Sequence, residues 1–196
     1  VNYRSLAGTN VPRDFVELPS QIMENWAAEP EVLKMYAKHY KTGEVIPDAL
    51  IEKMKKAGTF DQGFATTEYL AASFLDMKYH TASKEIKDDV NTFEINAMKE
   101  AGLIDAIIPR YRSTYFSHIF AGGYSAGYYS YIWSAVLDTD AFEAFKTAGL
   151  FNSEKALMFR KHILEKGGTE DPAELYRKFR GADPKIEPLL KKRGLN

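Results

Sequence analysis

The 196 residues are 45% hydrophobic and 27% charged, with a formal net charge of −1. That is the make-up of a globular chain long enough to bury a core, not of a disordered or membrane-spanning one. The balanced charge gives no electrostatic reason to expect nucleic acid as a partner, and the lack of cysteine excludes disulfides, thiolate metal sites and cysteine nucleophiles while fitting a reducing cytoplasm.

Helical periodicity recurs along the chain and strand-like alternation is nearly absent, so the expected fold is all-α. Cap signals at Thr9, Asn10 and Pro12 predict a first helix running to about Ala28. At roughly 100° per residue it carries a polar stripe of Asp14, Glu17, Gln21 and Glu24 opposite an apolar one of Phe15, Leu18, Ile22 and Trp26. Pro19 falls inside it, which predicts a kink and a Phe15 carbonyl without its usual partner.

Further helices are expected over 31–39, 46–58, 64–79 and 91–101, the third ended by Gly58. Residues 107–123 read as irregular, broken by Pro109, Gly122 and Gly123. A long helix is predicted from about Ser125 to Asp138, continuing toward Lys146, and three short ones near 153–166, 172–179 and 184–192. No repeat, low-complexity tract, linker or membrane-length apolar run interrupts the chain, so the expectation is one helical domain over 1–196 without a membrane partner.

Two stretches can carry chemistry. Glu17 is a carboxylate on an amphipathic helix; such groups are usually solvated, and a metal role needs further ligands. None of His39, His80, His118 and His162 is followed by Glu and then by His four positions on, so no HExxH zinc-binding helix lies in this sequence. A phosphate-cradling Gly-rich loop with Lys is also absent. The second stretch, HIFAGGYSAGYYSYIW, spaces Tyr124, Tyr128 and Tyr131 at i, i+4 and i+7, within about 60° on a helix, with His118 upstream. Phenols stay protonated at neutral pH and can donate where charge develops on a substrate oxygen. An aromatic core stripe accounts for the same spacing.

The segments SLAGTNVPRDFVELPSQIMENW, PRYRSTYFSHIFAGGYSAGYYSYIW and LYRKFRGADPKIEPLLKKRGLN, taken in order, resemble the thimet oligopeptidase family of zinc metallopeptidases, in particular its bacterial peptidyl-dipeptidases. The resemblance implies the C-terminal part of a zincin-like catalytic domain, acting on short peptides and releasing C-terminal dipeptides. It implies Glu17 as the third zinc ligand, with Arg13 and Glu24 supporting the metal site from behind. It assigns His118 and Tyr124 to holding the peptide main chain, and Tyr131 with Tyr128 to stabilising the oxyanion. Arg110 and Arg112 are candidates for the substrate's terminal carboxylate, since Arg pairs bidentately with carboxylates; pairing within the protein explains them equally. The family's HExxH helix would stand just upstream of Val1. The chain is therefore expected to depend on a preceding part of the same polypeptide and to be inactive alone. A non-catalytic helical peptide-binding module is the alternative.

Overall fold

The computed structural model describes Val1 and residues 3–195. The helices are α1 (Leu18–Ala28), α2 (Pro30–Tyr36), α3 (Asp48–Gly58), α4 (Gln62–His80), α5 (Val90–Glu100), α6 (Ser117–Phe120), α7 (Ser130–Ala148), α8 (Ser153–Phe159), α9 (Pro172–Arg180) and α10 (Glu187–Lys192). The protein is all-α; the pairing of Lys38 with Val45 is an isolated antiparallel bridge. Two compact units form, Val1–Phe60 with Ile132–Asn196, and Asp61–Tyr131. Among the described residues no helix is long and apolar enough to cross a membrane.

The core of the first unit collects Phe15, Leu18 and Ile22 with Leu137, Ala141, Phe142 and Phe145 of α7 and Leu175, Tyr176 and Phe179 of α9. The apolar stripe read from the first helix is thus buried as its spacing requires. Trp26 packs edge-on against Phe142 and Phe145, at 4.6 and 4.8 Å between ring centres, and its indole N–H donates to the Leu150 carbonyl at 2.9 Å.

The first helix begins later than its cap signals predict. Residues 13–17 form turns and α1 starts at Leu18, so Pro19 lies in the first turn, where a missing N–H costs nothing. The Phe15 carbonyl accepts from the Leu18 N–H at 3.2 Å, and no interior kink is needed. Elsewhere local chemistry sets the ends. Asp89, Asn152 and Asp171 cap α5, α8 and α9 through their side chains, and Gly181, at φ 84°, closes α9 in the left-handed conformation. After α8 the chain winds one π turn over Arg160–Leu164.

One buried ionic cluster locks α9 to α7. The Asp140 carboxylate, 1% exposed, accepts from the Tyr176 hydroxyl at 2.7 Å and from Arg180 Nε at 3.0 Å and Nη2 at 3.3 Å. Burial, and then the Asp140 carboxylate, push the Tyr176 phenol above its ordinary pKa, so the hydroxyl remains a donor. Removing the carboxylate leaves the Tyr176 hydroxyl only the Leu137 carbonyl, at 3.1 Å, and Arg180 Nε only the main-chain carbonyl of residue 140, at 3.1 Å, and it leaves the half-buried guanidinium without its counter-charge. Asp140→Ala is expected to cost about 3 kcal/mol or more in chemical denaturation. A loss below about 1 kcal/mol would show that the cluster does not hold these helices together.

Candidate functional site

The second unit is built on α4 and α5, which pack through Ala71, Ala72 and Leu75 against Ala97 and Met98. Small residues on α4 allow that close approach, and Phe116, Ile119 and Tyr128 complete the core. The irregular stretch 107–116 is fastened to both helices. The Arg110 N–H donates to the Glu68 carbonyl at 3.0 Å. Glu94, 3% exposed, accepts at one oxygen from Arg112 Nε and at the other from the Ser113 N–H at 2.7 Å and the Ser113 hydroxyl at 2.8 Å. Arg112 is thereby ion-paired within the protein, whereas Arg110 is exposed.

That scaffold presents an aromatic cluster. His118 lies 6.1 Å from Tyr124, 5.6 Å from Tyr128 and 6.1 Å from Tyr131 between ring centres, and 4.7 Å from Tyr111. Tyr124 stacks on Tyr131 at 5.2 Å with a 17° interplanar angle, and Tyr128 meets Tyr131 at 5.4 Å. His118 Nδ1 is buried with no hydrogen-bond partner in the structure, which leaves one polar atom available inside the cluster. Tyr111, between Arg110 and Arg112 in the sequence, stacks on Phe116 at 5.2 Å and is the cluster member that the spacing of the other tyrosines does not point to.

The four sequence-predicted residues do come together, but not as one helical stripe. α7 starts at Ser130, so only Tyr131 of the three tyrosines is helical. Tyr124 precedes the turn over 125–129 in which Tyr128 sits, with Ala126 between them at φ 54°. Gly122 suits the close approach there: a Cβ would lie 3.0 Å from both the Cα and the carbonyl oxygen of His118, so a larger residue would push that backbone aside by a few tenths of an ångström.

Residues 123–127, Gly-Tyr-Ser-Ala-Gly, also spell the G-x-S-x-G pattern of a serine nucleophile elbow. That motif needs a strand leading into it, and none precedes it among the described residues. The Ser125 hydroxyl donates instead to the Ile119 carbonyl at 2.6 Å, so this serine braces the loop.

The remaining candidates lie in the first unit. Glu17 is half-buried at the residue before α1; its carbonyl accepts from the Gln21 N–H at 2.9 Å, and its Oε2 accepts from the Ser20 hydroxyl at 2.8 Å. Glu24, on α1, and Arg13, before it, are exposed. Among the described residues no three His, Cys, Asp or Glu side chains are grouped so as to hold a metal ion. The residues present fit zinc to the extent of one oxygen ligand, a carboxylate oriented by a neighbouring hydroxyl; a four-coordinate ion needs the rest from elsewhere.

The comparison with known proteins is decisive for the family. The model of Peptidase family M3 matches residues 1–195. The chain belongs to peptidase family M3. Within M3, it is 48% identical to the dipeptidyl carboxypeptidase of Escherichia coli K12 over 99% of this chain and 29% of that protein. It is 40% identical to oligopeptidase A of the same organism over 95% of this chain and 28% of that protein. Saccharolysin of Saccharomyces cerevisiae is 33% identical over 95% of this chain and 26% of its own length. The chain thus spans under a third of the M3 relatives it matches.

Burial raises the Tyr128 phenol above its ordinary value of 10, with the Arg110 charge pulling the other way. The stability this phenol contributes is complete below pH 10 and is lost as pH rises above it, because the unfolded chain releases the proton first. Tyr176 is shifted in the same direction. Guanidinium melts between about pH 10 and 12 should therefore show a falling unfolding free energy, with a shallower fall in Tyr128→Phe. An identical slope in the variant would contradict the burial of this phenol.

Proposed function

We propose that this chain forms part of a zinc-dependent oligopeptidase that hydrolyses short peptides and releases C-terminal dipeptides. The observation that carries the reading is the convergence of His118 with Tyr124, Tyr128 and Tyr131 around a buried, unpartnered imidazole nitrogen. The name of the Escherichia coli relative, a dipeptidyl carboxypeptidase, supports the product class.

In this reading His118 and Tyr124 bind the peptide main chain. Tyr131, with Tyr128 beside it, donates to the scissile carbonyl oxygen as negative charge develops there. Burial keeps Tyr128 protonated, so it remains a donor throughout the working pH range. Glu17 would hold zinc as an oxygen ligand, with Glu24 and Arg13 shaping its surroundings. When bound, the ion supplies Lewis acidity and activates water for attack. Arg110 takes the substrate's terminal carboxylate; it is exposed, and its charge is felt at the Tyr128 phenol. Arg112 is occupied by Glu94. The two His ligands and the general base belong to a preceding part of the same polypeptide, so these 196 residues alone are expected to be inactive.

Two measurements on the intact protein test this. Tyr131→Phe is expected to lower kcat about 100-fold with a smaller change in KM, the signature of a contact made in the transition state. A pure KM effect would assign Tyr131 to substrate binding instead. Glu17→Ala is expected to lose stoichiometric zinc in elemental analysis. Full retention of the metal would remove Glu17 from the ligand set.

A further inference from the structure

We propose that Asp76 is a positioning residue of the tyrosine site, acting through the backbone of residues 126–128. Asp76 lies in the C-terminal part of α4 and is 0% exposed. Its Oδ1 accepts from the Ala126 N–H at 2.9 Å and its Oδ2 from the Tyr128 N–H at 2.9 Å. His80, one helical turn on, approaches Oδ1 with Nδ1 at 2.7 Å. Both oxygens are thus committed to a loop fifty residues away in sequence.

A buried carboxylate is a poor device for stability alone. Desolvating it is costly, and an apolar residue of similar volume usually serves a core as well or better. What it does here that an apolar side chain cannot is hold two backbone donors, two residues apart, in one geometry. Ala126 adopts φ 54°, a left-handed conformation that non-glycine residues avoid and that persists where surrounding contacts enforce it. The same short segment is held by a second side chain of α4, the Tyr69 hydroxyl, which donates to the Tyr128 carbonyl at 2.6 Å.

The left-handed residue has a direct consequence for the site. It sits between Tyr124 and Tyr128 and bends the chain just before α7 begins. The bend sets Tyr124 flat against Tyr131 and Tyr128 at 64° to it. Asp76 therefore fixes which phenols face one another without itself belonging to the cluster. The inference rests on the reading of those phenols as substrate-facing groups, but its first test does not need activity.

The test uses Asp76→Asn in the full-length protein, with Tyr69→Phe as a second variant that removes only the hydroxyl bond to the Tyr128 carbonyl. An amide retains one good acceptor and offers an N–H₂ group where a second is needed, so one backbone donor loses its partner. Hydrogen exchange read by mass spectrometry should accelerate in peptides covering 124–131 and remain unchanged in those covering α9. Peptide hydrolysis should lose kcat on the order of 10- to 100-fold with KM within about twofold. Adding Ala126→Gly, which makes the left-handed conformation inexpensive, should recover part of that kcat.

Unchanged exchange over 124–131 in both variants would overturn the proposal, as would faster exchange across the whole protein with no rescue by Ala126→Gly. If the unsubstituted full-length protein hydrolyses no peptide, the peptidase reading fails, and the exchange and rescue of local protection by Ala126→Gly still decide the role of Asp76.

Discussion

Two backbone N–H groups, those of Ala126 and Tyr128, end on one buried carboxylate, Asp76. Much of the aromatic cluster follows from that constraint. With the loop pinned there, Tyr128 enters the core of its unit, Tyr124 folds over Tyr131, and the ring of His118 is enclosed by phenols. Gly122 makes the loop's tight return past His118 sterically feasible, and the Ser125 hydroxyl ties it to the Ile119 carbonyl. Few of these contacts are large in energy. Their value is geometric: hydrogen-bonding groups are held at fixed separation before any ligand arrives, so the ordering cost of binding falls.

The first unit obeys a different logic. Its core is apolar and built by amphipathic helices whose stripes meet, with Trp26 and the Asp140–Tyr176–Arg180 cluster as the polar fastenings. Glu17 is two residues after buried Phe15 and one before buried Leu18, so its backbone is held by core residues on both sides, and its carboxylate accepts from the Ser20 hydroxyl. A ligand carried on a chain anchored by core residues on both sides can be presented with little loss of entropy on binding.

Helical periodicity made the fold class legible, and the helix read near 172–179 matches α9 to within a residue. The motifs around Glu17 and the tyrosine run made the family legible. Two local readings differed from the structure for identifiable reasons. Pro19 reads as an interruption only if the helix starts at the upstream cap signals; α1 starts at Leu18, and in its first turn a proline needs no hydrogen bond. The tyrosine spacing matched a helical face, yet the residues meet across a turn, because Asp76 and the left-handed Ala126 override helical propensity there. Asp76 itself was invisible: its partners lie 50 and 52 residues away, and periodicity carries no information at that range. Choosing between Arg110 and Arg112 was equally beyond the sequence, since the pairing of Arg112 depends on Glu94, 18 residues upstream on another element.

The central claim is that the carboxylate of Glu17 is a metal ligand in the intact M3 peptidase. Anomalous diffraction at the zinc edge, from crystals of the full-length protein, tests it most directly. The account predicts a zinc peak about 2.0–2.2 Å from a Glu17 carboxylate oxygen. A fully occupied zinc site with neither oxygen of Glu17 in its coordination shell would contradict it.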